Sequence, residues 1–228
     1  MEPPLLTFAI DFSKGDSAVV AKVRQWLALP PVTNEEIGFY GDPASMPLAW
    51  RQWLATVSLL AEREYITGFE DKYSNEIIGV WAQTGLLDRN ALPASAQAIW
   101  AIIENGFDYD ESGAVDPAQL EKLWTGYAAA VSAVEEAMKA QGRVLVSIDA
   151  TDDDTLFFAA VDPALAERWV GVGLAAIEEG GIRREAGVRA PLWGRLWEHL
   201  LYAMDDVPED FEERGLPPGL VKPVGLRF

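Results

Sequence analysis

Two apolar runs late in the chain place the strongest limit on its architecture. Arg143-Val144-Leu145-Val146-Ser147-Ile148-Asp149 and Thr155-Leu156-Phe157-Phe158-Ala159-Ala160-Val161 are short and rich in β-branched and aromatic residues, which favours strands over helices. Only Ala150 to Asp154 separates them. That is too little chain for a crossover, so the two runs form an antiparallel hairpin. Leu5-Leu6-Thr7-Phe8-Ala9-Ile10-Asp11-Phe12 reads as a further strand by the same pattern, with Gly15-Asp16 as its turn.

Elsewhere the apolar period is helical. Ser17 to Leu29 places Val19, Val20, Val23, Trp26 and Leu27 on one face, and Pro30-Pro31 ends it. Glu36 to Tyr40 reads as a short extended piece. Met46 to Ile66 carries Trp50, Trp53, Leu54, Val57, Leu60 and Ala61 as a buried stripe. Glu70 to Thr84, Ser95 to Asn105 and Pro117 to Ala140 continue the pattern. Asp162-Pro163 starts a helix expected to run to Glu179, where Gly180-Gly181 stops it, and Pro191 to Met204 is the last. The fold class is α+β: a small antiparallel sheet of about three strands packed with roughly six or seven helices. Residues 1–228 are expected to form one domain, with an irregular Pro- and Gly-rich tail over 205–228.

Composition narrows the function. Half of the residues are apolar and nine are Trp, enough for a sizeable core. No apolar run approaches the ~20 residues that span a bilayer, and Met1-Glu2-Pro3-Pro4 lacks the basic start of a signal peptide, so the expected compartment is the cytoplasm. The absence of cysteine excludes disulfides and thiolate metal sites. His199 is the only histidine, which rules out a histidine dyad. There is no Gly-x-Ser-x-Gly elbow and no Walker A sequence. Val170-Gly171-Val172-Gly173-Leu174 lacks the third glycine of a dinucleotide loop and falls within a helical pattern. Asp11 and Asp149, both at strand ends, are the best pair for a carboxylate-dependent hydrolase, but no residue is assigned a catalytic role and the expected protein is not an enzyme.

Acidity is the positive signal. Thirty-six acids against eighteen Lys and Arg give a net charge of −18. Such a field repels nucleic acid and anionic membrane and attracts basic proteins. Arg183, Arg184 and Arg189 form the one notable basic cluster, too small to reverse that expectation. The acids come in blocks: six between Glu104 and Glu121, four between Asp149 and Asp154, and six between Asp205 and Glu213.

The first block has a spacing with a chemical meaning. Asp108, Asp110 and Ser112 alternate, Gly113 follows at a sharp turn, Ala114 offers a carbonyl, and Asp116 and Gln119 complete the series. This loop resembles an EF-hand calcium loop, with Gln119 where that family has a bidentate Glu. The resemblance implies a weak calcium site made by Asp108, Asp110, Ser112, Ala114, Asp116 and Gln119. Asp116-Pro117-Ala118-Gln119 is equally a capped helix start, with Gln119 closing a capping box. In size, lack of cysteine, acidity and lack of a catalytic motif, the chain also resembles bacterial toxin-immunity proteins. That resemblance implies a basic toxin or effector domain as partner. The contact face expected for it comprises Asp149, Asp152, Asp153 and Asp154 together with Asp205, Asp206, Glu209 and Asp210.

Overall fold

The computed structural model describes residues 2–38, 43–109, 115–150, 155–179, 182–204 and 207–220, apart from the side chains of residues 71, 179, 182, 184, 210 and 212. The α+β class stands, with five strands in one sheet instead of about three. The chain builds two compact units, each from two separate stretches: Met1–Gly68 with Leu145–Pro191, and Phe69–Val144 with Leu192–Phe228.

In the first unit the N-terminal segment is a helix, α1 (Pro4–Phe12), and not the expected strand. Its buried residues are Leu5, Leu6, Phe8, Ala9 and Phe12, a helical spacing that a nearly continuous apolar run conceals. Pro4 occupies the first turn, where its missing N–H leaves no helical bond unmade. Lys14 and Gly15, both at positive φ, turn the chain into α2 (Ser17–Ala28), which buries Val19, Val20, Val23 and Trp26. The piece expected to be extended starts with a helical turn, α3 (Asn34–Ile37). Thr33 and Glu36 form a reciprocal capping box there and fix the turn before any strand can form. The helix α4 (Leu48–Glu62) is shorter at both ends than expected and buries Trp50, Trp53, Leu54, Val57 and Leu60. Gln52 donates to the Trp26 carbonyl at 2.8 Å, fastening α4 to α2.

The sheet runs in the order β1-β3-β2-β5-β4, with β1 Thr67–Glu70, β2 Val144–Asp149, β3 Thr155–Val161, β4 Gly173–Glu179 and β5 Ile182–Arg189. The expected partners β2 and β3 are neighbours, and β2 is central and buried from Leu145 to Asp149. The helix expected over 162–179 is replaced by a short α8 (Pro163–Trp169) followed by β4. Gly171, at φ 85°, stops the helix, and antiparallel pairing of β4 with β5 overrides the helix preference of Ala175 and Ala176. The Val170–Leu174 glycines therefore lie at a turn and a strand start. At Gly187 a Cβ would sit 2.2 Å from the Val172 carbonyl oxygen, so close backbone approach requires glycine.

In the second unit, the helix expected over 70–84 is divided into a 3₁₀ turn, Asp71–Glu76, and α5 (Ile77–Gln83). The helices α6 (Ala94–Asn105) and α7 (Pro117–Ala140) follow the expected spans and pack together. At Gly126 an added Cβ would meet the Ile99 side chain at 2.6 Å, so the two helices approach closely there. The last long helix, α9 (Trp193–Ala203), is tied to α7 by a Trp193 Nε1–Glu135 hydrogen bond of 2.6 Å. Trp100, Tyr127, Trp197 and Phe211 form a run of ring contacts at its centre. Among the described residues, the stretch expected to be irregular contains one short helix, α10 (Glu209–Glu212).

Candidate functional site

The acidic loop between α6 and α7 is built from local rules at both ends. Asn105 is the last residue of α6, and Gly106 at φ 78° turns the chain out of it. Phe107 and Val115 are buried and anchor the two sides. Between them Tyr109 and Val115 form an antiparallel bridge, and the Asp116 N–H donates to the Asp108 carbonyl at 3.0 Å. Asp116 caps α7 by accepting from the Ala118 N–H at 2.9 Å. The reciprocal half of the expected capping box is absent. Instead, Gln119 Oε1 accepts from the Asp108 N–H at 2.9 Å, and Gln119 Nε2 donates to Asp108 Oδ2. The side chain spans the neck of the loop and does not fold back on its own helix.

This geometry describes three of the six residues in the expected calcium set. Asp110, Ser112 and Ala114 lie outside the described residues. Of the other three, Gln119 spends its carbonyl oxygen on a backbone N–H and points its amide nitrogen, a donor, at Asp108. Asp116 uses one carboxylate oxygen as a helix cap. A cation needs converging acceptors; among the described residues, the Gln119 carbonyl oxygen and one Asp116 oxygen are already engaged by N–H groups. Among the described residues no three His, Asp or Glu side chains gather as a metal shell.

Of the residues expected to face a partner, Asp149 and Glu209 are described with their side chains. Asp149, at the end of β2, is 5% exposed and stands 4.0 Å from Arg189 Nε on β5. Its carbonyl accepts from Trp53 Nε1 at 3.1 Å. It belongs to the first unit, whereas Glu209, exposed on α10, belongs to the second. Asp152, Asp153, Asp154, Asp205 and Asp206 lie outside the described residues, as does the side chain of Asp210. The hydrolase pair is altered too. Asp11 sits on α1 and not at a strand end, where its carboxylate takes Arg168 and Trp169 Nε1, each at 2.8 Å.

His199 lies on α9 and is 7% exposed, with Arg195 one turn earlier at 9%. The helix packs on the 3₁₀ turn 71–76, whose Ser74 is fully buried. A buried arginine on that face was not expected from the sequence. The signal was the spacing of Arg195 and His199, four apart within an otherwise apolar stripe. Two aromatic side chains, by contrast, stand out in solvent beside acidic blocks: Tyr109 is 52% exposed and Tyr202 is 72% exposed. No helix among the described residues is long and apolar enough to cross a membrane.

The sequence matches no protein-family model, and neither curated proteins nor solved structures give a match.

Proposed function

We propose that this chain is an acidic, non-catalytic binding protein of the immunity type, which neutralises a basic bacterial toxin or effector domain in the cytoplasm by direct contact. The observation that carries this reading is the charge of −18, concentrated in blocks and not spread evenly. A charge of that size raises the rate of encounter with a basic surface and disfavours nucleic acid and anionic membrane as partners. The exposed rings of Tyr109 and Tyr202 support it. Each lies in or just before an acidic block, and tyrosine surrounded by like charge is the composition of a contact that anchors by ring burial and selects by charge. In this reading Asp152, Asp153, Asp154, Asp205, Asp206, Glu209 and Asp210 supply the charge, while Asp149 is buried beside Arg189 at the end of β2. The experiment is affinity capture with the tagged full chain from the lysate of its own host, followed by an activity assay of the captured protein. The expected result is a basic protein whose activity this chain suppresses at stoichiometric ratio. Recovery of neutral or acidic proteins alone contradicts the proposal.

A further inference from the structure

We infer that the acidic loop is closed by an amide clasp in the place where the EF-hand pattern would put a cation, and that Gln119 is the residue that makes the clasp. Gln119 and Asp108 are eleven residues apart, yet both ends of the Gln119 amide meet Asp108: Oε1 takes its backbone N–H and Nε2 donates to its carboxylate. Only a side chain with one acceptor and one donor can satisfy both groups. A glutamate at the same position offers acceptors alone and sets a second negative charge against Asp108, which then needs a metal to reconcile the pair. The departure from Glu at 119 is therefore not a weakened calcium ligand. The amide N–H meets the Asp108 carboxylate and takes over the cation's structural part. The Asp116–Asp108 backbone bond and the Tyr109–Val115 bridge draw the same neck together, so it is closed without an ion. Closure fixes Tyr109 in its exposed position at all calcium concentrations.

The test is hydrogen exchange at the Asp108 amide, with thermal melting of the full chain, in calcium chloride and in chelator. In the wild type, protection of Asp108 and the melting midpoint are the same in both. Gln119→Ala lowers protection of the Asp108 amide by roughly three- to tenfold, the range for one net hydrogen bond. Gln119→Glu also lowers it at neutral pH, where its charge is set against the Asp108 carboxylate, and recovers it in acid, where a protonated carboxyl donates as the amide does. A saturable rise in wild-type protection or melting midpoint with calcium overturns the inference. So does wild-type protection of Asp108 in Gln119→Glu at neutral pH.

Discussion

At the scale of single residues, Asp16 shows how a local signal becomes a measurable property. Its carboxylate caps α2, accepting from the Ala18 N–H at 2.8 Å, while the Tyr65 hydroxyl donates to its other oxygen at 3.0 Å. These bonds favour the charged form, the Ala18 N–H most and Tyr65 next, so the Asp16 pKa lies below its usual 3.8. The same contact raises Tyr65 above its usual 10.0, because ionising the phenol would forfeit the bond and bring two negative charges together. For the lowered carboxyl, the stabilisation is present above its unfolded pKa and is lost as pH falls through the native value. For the raised phenol, it is present below the unfolded pKa and is lost as pH rises through the native value. Asp16→Ala is thus expected to melt below wild type at neutral pH, with the gap closing as pH falls through the lowered native pKa of Asp16. Tyr65→Phe should move the Asp16 titration upward, as followed by carboxyl NMR. An unmoved Asp16 titration would contradict the assignment. Caps of this kind are legible because donor and acceptor are neighbours in sequence, as Asp116 also shows at the start of α7. The Gln119–Asp108 clasp was not legible. Its local alternative, a capping box, has the same residues at the same spacing, and only the fold decides which N–H the amide meets.

At the scale of elements, one property separates the segments whose form is legible from those whose form is not. Helices with a clean apolar period, such as α7, are fixed by their own residues. Pro4–Phe12 is apolar at nearly every position, so its period is hidden and the choice of helix depends on what it packs against, including Trp53 and Trp169 beside Phe8. The segment Gly173–Glu179 is ambiguous in isolation and becomes a strand because β5 offers a partner. Two glycines separate backbone constraint from side-chain constraint. Gly187→Ala drives a Cβ into the Val172 carbonyl oxygen, a backbone atom that cannot step aside. The expected loss is about 1–3 kcal/mol in urea unfolding, the range for overpacking. Gly126→Ala meets the end of the Ile99 side chain, which can rotate. It also gains up to about 1 kcal/mol of helix propensity. Its net effect should therefore be clearly the smaller. Equal losses would mean that β5 has more room beside Val172 than its geometry shows.

At the scale of the whole molecule, the sequence conveyed the class, the long helices and the central hairpin. It did not convey that the chain divides into two compact units, each from two separate stretches, because the crossings at Gly68, Val144 and Pro191 fall within or beside ordinary elements and carry no linker composition. Net charge, by contrast, is additive and needs no fold to be read. It supports a physical expectation about kinetics: attraction between opposite fields acts on encounter more than on the lifetime of the complex. The measurement that tests the central claim most directly is the association rate of this chain with its captured basic partner over increasing ionic strength. Between 50 and 500 mM salt the account predicts a fall of roughly tenfold or more in association rate, with the dissociation rate changing far less. An association rate independent of salt would contradict it.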